Sequence, residues 1–483
     1  EGFVLLKNEN GALPLQNQKI ALYGMGARLT VKGGLGSGSV EERYSVNIED
    51  GLRNAGYEIS SQDWLNDYDA EYASTYQAYH DMVEEKVKGL TNPMQIIPLA
   101  HSFVYRYPSG RLVTREDVEK SGTDAAIYVL MRQAGECNDR KLEKGDYYLT
   151  DIERENLKVL TESYSHTILV INVGGHIDMG FLDEIPGIDA VVLFVQGGEE
   201  GGNALADVLS GKLNFSGKLA DTIPMRYEDI PFGDEFSYLN GDVRNEYYKE
   251  DIYVGYRYFD SFHKAVRYPF GFGLSYTNFT IETKSVTLDK TSVTARVAVT
   301  NTGAVPGKEV VQLYVSVPGE KKEYQRLVTF EKTGLLPPGA SETLELTFNL
   351  TDCASYCESK AAWLLDGGAY MVRIGNSSRA TSVAAVIDLP ETVVTRQCRS
   401  CCTPVDELPE FVAETVSMDI PEGVLRLTAT PTDFVTEVVD YTEPEIQETK
   451  QETAILDSLT LQGQAWFLQG GDLRNPPKGD LEI

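Results

Sequence analysis

Glu136 is the residue with the most chemistry around it. It stands in Gly135-Glu136-Cys137-Asn138-Asp139-Arg140, which sets two carboxylates and a guanidinium side by side. A carboxyl group in such a setting can protonate a leaving oxygen and later take a proton from water. Burial against aromatic side chains would raise its pKa, and a guanidinium beside it would lower it. An exposed turn, with Arg140 paired to Glu136 or Asp139, would have the same spelling, because structural ion pairs look alike in sequence.

The flanking elements decide whether this loop is held where a ligand can reach it. Asp124-Ala-Ala-Ile-Tyr-Val-Leu130 is apolar throughout and reads as a buried strand. Gly135-Glu136 therefore falls just past a strand end, the place where ligands bind in open α/β sheets. Thr150-Asp-Ile-Glu153 spells a capping box and opens a helix. Further strands are expected at 19–23, 57–60, 168–173 and 190–195, and helices over 48–56, 62–90 and 202–209. Apolar strands alternating with helices predict a mostly parallel-sheet α/β sandwich. Gly2 to Asn8 reads as the tail of a helix leading into a loop. Residues 90–115, with prolines and aromatics, read as an insertion packed over the sheet.

Later segments change texture. Residues 231–276 are dense in aromatics and glycine, which suits either a seal between two domains or a platform lining a sugar site. From Phe279 to about Leu389 the pattern has period two, as in Thr291–Thr300, Val310–Ser316, Glu342–Phe348 and Ala369–Gly375. Turns fall at Asn301-Thr-Gly303, Pro337-Pro-Gly339 and Asp366-Gly-Gly368, which predicts an all-β sandwich. Beyond Glu391 the chain becomes acidic and irregular. The expected division is 1–230 for the α/β sandwich, 231–276 for a connecting segment, 277–390 for the β sandwich and 391–483 for an acidic linker or tail.

Composition narrows the ligand. The chain has 483 residues, so two or three domains are expected. A net charge of −30 argues against nucleic acid and against an anionic membrane surface. A neutral, hydroxyl-rich ligand fits better. No apolar run is long enough for a membrane-spanning helix. The chain opens at Glu1 without a methionine, which reads as a cut N-terminus. Cys398-x-x-Cys401-Cys402 invites a zinc reading, but the histidines are scattered, and free thiols in a reducing, cytoplasmic setting are expected instead. Gly24-x-Gly26 lacks the third glycine of a dinucleotide fingerprint, since Leu29 stands there. The run Gly33-Gly-Leu-Gly-Ser37-Gly38 has no lysine placed as in a phosphate loop, but it lets backbone approach a ligand or another domain closely. No cofactor and no metal are expected.

Taken together, the chain resembles the non-barrel portion of glycoside hydrolase family 3, the family of β-glucosidases and related exo-glycosidases. The matching stretches are Val4-Leu-Leu-Lys-Asn with Leu13-Pro-Leu15, Gly33 to Gly38, Ala134 to Arg140, Gly145-Asp-Tyr-Tyr-Leu149, Gln196 to Gly202, Ser216-Gly-Lys-Leu219, and Tyr253 to Phe259 through Gly273-Leu-Ser-Tyr276. They run in family order. The resemblance implies an (α/β)6-type sandwich followed by a fibronectin type III-like domain, and a retaining exo-hydrolase that uses two carboxylates. Glu136 aligns with the family's general acid/base, with Cys137 in place of the usual glycine. Asp139, Arg140 and Ser37 are implied as substrate-binding residues. The family nucleophile is an aspartate in a Ser-Asp-Trp motif on a separate (β/α)8 barrel, and nothing here builds eight β/α units beyond the sandwich. Ser61-Gln-Asp63-Trp64 looks like that motif, but at a strand-to-helix junction Ser61 or Asp63 is better read as a helix cap. The expected partners are a β-linked glycoside or oligosaccharide and a barrel domain from the same gene or another subunit, with a homo-oligomer as an option. The alternative is a non-catalytic carbohydrate-binding or subunit-bridging module.

Overall fold

Apolar runs that cannot face water on either side pair with one another to make the first sheet. In chain order its elements are β1 (Val4–Asn8), β2 (Lys19–Tyr23), α1 (Ile48–Asn54), β3 (Glu58–Ile59), α2 (Gln62–Val87), α3 (Arg115–Ser121), β4 (Ala125–Arg132), α4 (Asp151–Ser163), β5 (His166–Val173), α5 (Phe181–Glu184), β6 (Ala190–Leu193) and α6 (Gly201–Leu209). The computed structural model describes residues 1–92, 95–96, 99–100, 102–135, 140–235, 241–242, 244–401, 409–413, 420–442, 460–461 and 465. The strand order is β1-β6-β5-β4-β2-β3. β2 to β6 are parallel, and every residue of the central β4 is buried.

Three elements differ from the sequence expectation. Val4–Asn8 is a strand, antiparallel to β6 at the sheet edge, and not the tail of a helix. Val4, Leu5 and Leu6 are all buried there, with Leu5 also bridged to Leu274. A short apolar run carries no period that separates strand from helix, so the partner decides. β4 runs on past Leu130 to Arg132 in unbroken register with Val173. Ser61 takes the N-cap position of α2 without capping it. Its Oγ instead accepts from Leu22 N (2.8 Å) and donates to Leu22 O (2.6 Å), stitching the helix start to β2. Asp63 lies in the first turn of α2 and pairs with Lys120 at 3.3 Å.

α2 is buried only near its start, at Trp64, Leu65 and Tyr68. Beyond that, its tyrosines pack on the described part of the insertion: Tyr72 lies parallel to Tyr107 with centroids 6.1 Å apart, and Tyr79 donates to Phe103 O.

The second half begins with β7 (Ile223–Pro224), α7 (Tyr256–Ser261) and β8 (Val266–Tyr268), β7 pairing with β8. The all-β part follows as β9 (Phe279–Asp289), β10 (Ser292–Asn301), β11 (Val310–Ser316), β12 (Arg326–Lys332), β13 (Ser341–Asn349), β14 (Ser355–Cys357), β15 (Ala362–Leu365), β16 (Gly368–Gly375), β17 (Thr381–Leu389), β18 (Val393–Gln397), β19 (Leu425–Thr428) and β20 (Glu437–Val438). Its sheets run β13-β10-β9, β12-β11-β16-β17-β19 and β14-β15-β18-β20, around a core that includes Val293, Val297, Val311, Leu313, Ile374 and Ile387. The acidic region is thus less irregular than its composition suggests. β19 adds in parallel to β17, and β20 to β18, with Leu427 and Phe434 packed on the core. An open sheet edge recruits a polar segment through backbone hydrogen bonds, which composition does not reveal.

The two halves are locked together at polar contacts. Lys218 Nζ pairs with Glu309 at 2.8 Å and donates to Gly273 O, both side chains being largely buried. Asn214 Oδ1 accepts from Tyr276 N, and Gln312 Nε2 donates to Gly271 O. Tyr253, Tyr258 and Phe262 form a further aromatic cluster with Phe411. Within 244–276, Tyr253, Tyr258 and Phe259 are buried, whereas Tyr248 is exposed.

One contact in the first half leaves no room for a side chain. α1 and α6 cross so closely that a Cβ on Gly202 would lie 1.9 Å from Asn47 O, and one on Gly51 would lie 2.1 Å from Gly202 O. Backbone cannot yield as a flexible side chain does. Gly202→Ala should destabilise the protein by about 3 kcal/mol, read as a lower denaturant midpoint at unchanged slope. Gly2→Ala, where a Cβ meets nothing within 4 Å, is the control and should leave the midpoint unchanged.

Candidate active site

The site is built at the carboxyl end of β4, and its foundation is Arg132. A guanidinium at the end of a fully apolar strand needs partners, since a buried charge without them costs several kcal/mol. Arg132 is 4% exposed and Glu153 is 0% exposed. They meet in a fork, Nη1 to Oε1 and Nη2 to Oε2, both at 2.7 Å. Arg132 Nη1 also donates to Met131 O (2.8 Å), and Nε donates to Asp146 O (2.9 Å). The expected capping box is present: Thr150 Oγ1 accepts from Glu153 N, and Glu153 Oε2 accepts from Thr150 N. Glu153 thus caps α4 and neutralises Arg132 at once.

From there the contacts run outward to both legs of the loop. Asp146 Oδ1 accepts from Arg140 Nη1 and Asp146 Oδ2 from Lys141 N, each at 2.9 Å. Arg140 Nη1 also donates to Gln133 O (3.1 Å), joining the returning leg to the outgoing one. The outgoing leg lies against the glycine-rich run: Leu35 N donates to Ala134 O (2.9 Å), and Leu35 bridges Gly135 in parallel. A Cβ on Gly135 would sit 2.4 Å from Leu35 Cβ, so only glycine fits there. Gly198 N donates to Lys32 O, which brings the loop after β6 to the same place.

Of the residues singled out from sequence, Arg140 lies within the described residues. Its side chain is one-fifth exposed, and its Nε and Nη2 are buried without a hydrogen-bond partner among the described residues. Its described ionic partner is Asp146. Glu136 and Asp139 lie outside the described residues, as do Cys137 and Asn138 between them. Ser37 rides in the single turn Gly36–Gly38 beside Leu35, and its side chain lies outside the description. Arg132, Gln133 and Asp146 were not singled out, and Glu153 was read only as part of a helix cap. Their one sequence signal is a charged residue ending an apolar strand and an acid at the third position of a helix.

A cavity of ≈ 450 Å³ opens next to the loop, lined among others by Val31, Gly33, Leu35, Tyr72, Tyr107 and Gln133. Burial, with neighbouring tyrosines adding to it, pushes the Tyr107 phenol up to about 12, so it is a neutral wall. On the other side of the returning leg, Asp178 N donates to Tyr147 O (2.9 Å). Burial raises the Asp178 carboxyl above the usual range despite the Gly180 backbone N–H that stabilises its anion. Among the described residues no three His, Cys, Asp or Glu side chains are grouped to hold a metal ion, and Cys353, Cys357, Cys398 and Cys401 are free thiols. No described helix is long and apolar enough to cross a membrane.

A parallel-sheet α/β layer with a charged loop at a strand end, sealed to a β sandwich, defines the class. Residues 3–276 match the glycosyl hydrolase family 3 C-terminal domain, and residues 309–378 match the fibronectin type III-like domain. The chain belongs to glycosyl hydrolase family 3 as a bearer of that C-terminal domain. It is 35% identical over 453 residues to Beta-glucosidase A of Butyrivibrio fibrisolvens, covering 87% of this chain and 54% of that protein. It is 36% identical over 426 residues to a beta-glucosidase of Ruminococcus albus, covering 85% and 42%. In structure it is similar to beta-glucosidase 3B of Thermotoga neapolitana in complex with alpha-D-glucose, with a TM-score of 0.67, 34% identity, and coverage of 81% of this chain and 53% of that one. The chain spans about half the length of the curated relatives it matches.

The buried pair gives a direct test of this foundation. Arg132→Met or Glu153→Leu alone should each cost about 3–5 kcal/mol, since each leaves one charge buried and unpaired. The double change should cost less than either. A double-mutant cycle of denaturant unfolding measures the coupling.

Proposed function

We propose that this chain is the acid/base-bearing part of a retaining, exo-acting β-glucosidase, whose nucleophilic carboxylate comes from a (β/α)8 barrel in the same protein or in another subunit. The observation that supports this best is the fixing of Gly135 and Arg140, the two flanks of Glu136, at the carboxyl end of the central strand. The same reading keeps residues 1–230, 231–276, 277–390 and 391–483 as its units.

Glu136 then protonates the glycosidic oxygen as the bond to the anomeric carbon breaks and the barrel's carboxylate attaches. In the second step it takes a proton from the water that displaces that carboxylate. Arg140, Asp139 and Ser37 contact the sugar, and Nε and Nη2 of Arg140, which have no hydrogen-bond partner among the described residues, are donors suited to a hydroxyl. Two carboxylates suffice for this chemistry, so no cofactor enters. Asp63 is not the second carboxylate in this reading, because it belongs to the first turn of α2 with Lys120. The free thiols favour a reducing, cytoplasmic location.

Two outcomes are expected. In a barrel-containing protein, Glu136→Ala should lower kcat/KM by about 10²–10⁴-fold, and azide should restore turnover on a substrate with an activated leaving group. An unchanged rate would favour a non-catalytic carbohydrate-binding or bridging module. The 483-residue chain alone should show no turnover of an aryl β-glucoside above background; ordinary rates from it would refute the need for a second domain.

A further inference from the structure

We infer that Arg132 is a positioning residue for proton donation: its guanidinium ties down the described legs of the acid/base loop, residues 133–135 and 140–146, with Glu153 and Asp146 as its two outlets. This inference rests on the role proposed for Glu136.

Three separate elements end on one planar group. Nη1 holds the end of its own strand through Met131 O, Nε holds the returning leg through Asp146 O, and the fork on Glu153 holds the first turn of α4. Tyr148 O at 3.5 Å from Nη2 is too long to add much. A guanidinium presents its donors in one rigid plane, so fixing any two of these partners fixes the third.

Asp146 carries the position onward. Its carbonyl is tied to Arg132, while its carboxylate receives Arg140 Nη1 and Lys141 N. Arg140 then reaches Gln133 O. Arg140 is thereby two contacts from Arg132, and Gln133, the next residue along the chain from Arg132, is tied to Arg140 in turn. None of these atoms needs to touch substrate. Their effect is on where the proton donor stands, and a shift of about 1 Å at a reacting group can cost about a hundredfold.

The consequence is a selective defect. Protonation of the leaving oxygen matters when the leaving group is a poor one, and matters little when it departs unaided as 2,4-dinitrophenolate. The step moves one proton from the carboxyl to the departing oxygen while the carbon–oxygen bond breaks, so a misplaced donor penalises only substrates that need that proton.

The experiment compares cellobiose with 2,4-dinitrophenyl β-glucoside in the barrel-containing protein. It uses Arg132→Lys, the paired swap Arg132→Met with Glu153→Leu, and Glu136→Ala. The paired swap leaves no lone buried charge, so it keeps the fold and isolates positioning from stability. For both Arg132 variants, kcat on cellobiose should fall about a hundredfold. On the dinitrophenyl substrate, kcat for glycosylation from single turnover should fall less than about threefold, well inside the effect of a misplaced acid. Equal losses on both substrates would mean Arg132 merely holds the fold, and no loss on either would mean the loop finds its place without it; either overturns the inference. Glu136→Ala must show the same split. If it does not while the Arg132 variants do, the role proposed for Glu136 falls and the inference falls with it.

Discussion

A guanidinium closed off from water is the constraint on which the site depends. Arg132 is almost wholly buried, so the chain around its guanidinium must supply oxygen atoms in one plane. It does so from a strand end, a loop carbonyl and a helix-capping carboxylate. The requirement is mutual. Glu153, with no exposed surface, needs a cation as much as Arg132 needs an anion. A hydrophobic pair of similar volume would satisfy the core equally well, but would leave Asp146 O and the returning leg unheld. The polar pair thus specifies where the loop goes rather than adding net stability.

Glycine packing completes the frame on the opposite flank. Gly135 allows the outgoing leg to press on Leu35, and Gly51 with Gly202 allows α1 and α6 to approach at backbone distance. The run from Lys32 to Asn47 is held between the loop after β6 and the loop after β4, through Gly198 N on Lys32 O and Leu35 N on Ala134 O, and its far end is held by Gly202 N of α6 on Val46 O. At Gly51 and Gly202 the atoms pressed upon are main-chain atoms of the other helix or its cap, which cannot move aside.

Much of this was legible in the amino-acid order. The apolar strands, the capping box at Thr150 and the period-two strands of the β sandwich each carry a local signal of their own. The parts that were not legible are those decided by a distant partner. Val4 to Asn8 has a strand's neighbours and no strand's period. Ser61 has a cap's spelling, yet Leu22 takes its hydroxyl. β19 and β20 owe their conformation to open edges at β17 and β18. The fork between Arg132 and Glu153 joins residues whose sequence separation carries no rule, so only folding shows that the capping acid and the terminal arginine of the strand are one device.

The pair Lys218–Glu309 joins the β sandwich to this frame, and in the proposed function the carboxyl end of the first sheet is the face that a second carboxylate approaches. The most direct measurement is the separation of the two carboxyl groups in a barrel-containing protein trapped with a 2-fluoro glucoside. A retaining site requires Glu136 to face the trapped sugar with its carboxyl about 5 Å from the nucleophile. A separation beyond about 6.5 Å, or a Glu136 side chain turned into the sandwich core, would contradict a shared retaining site.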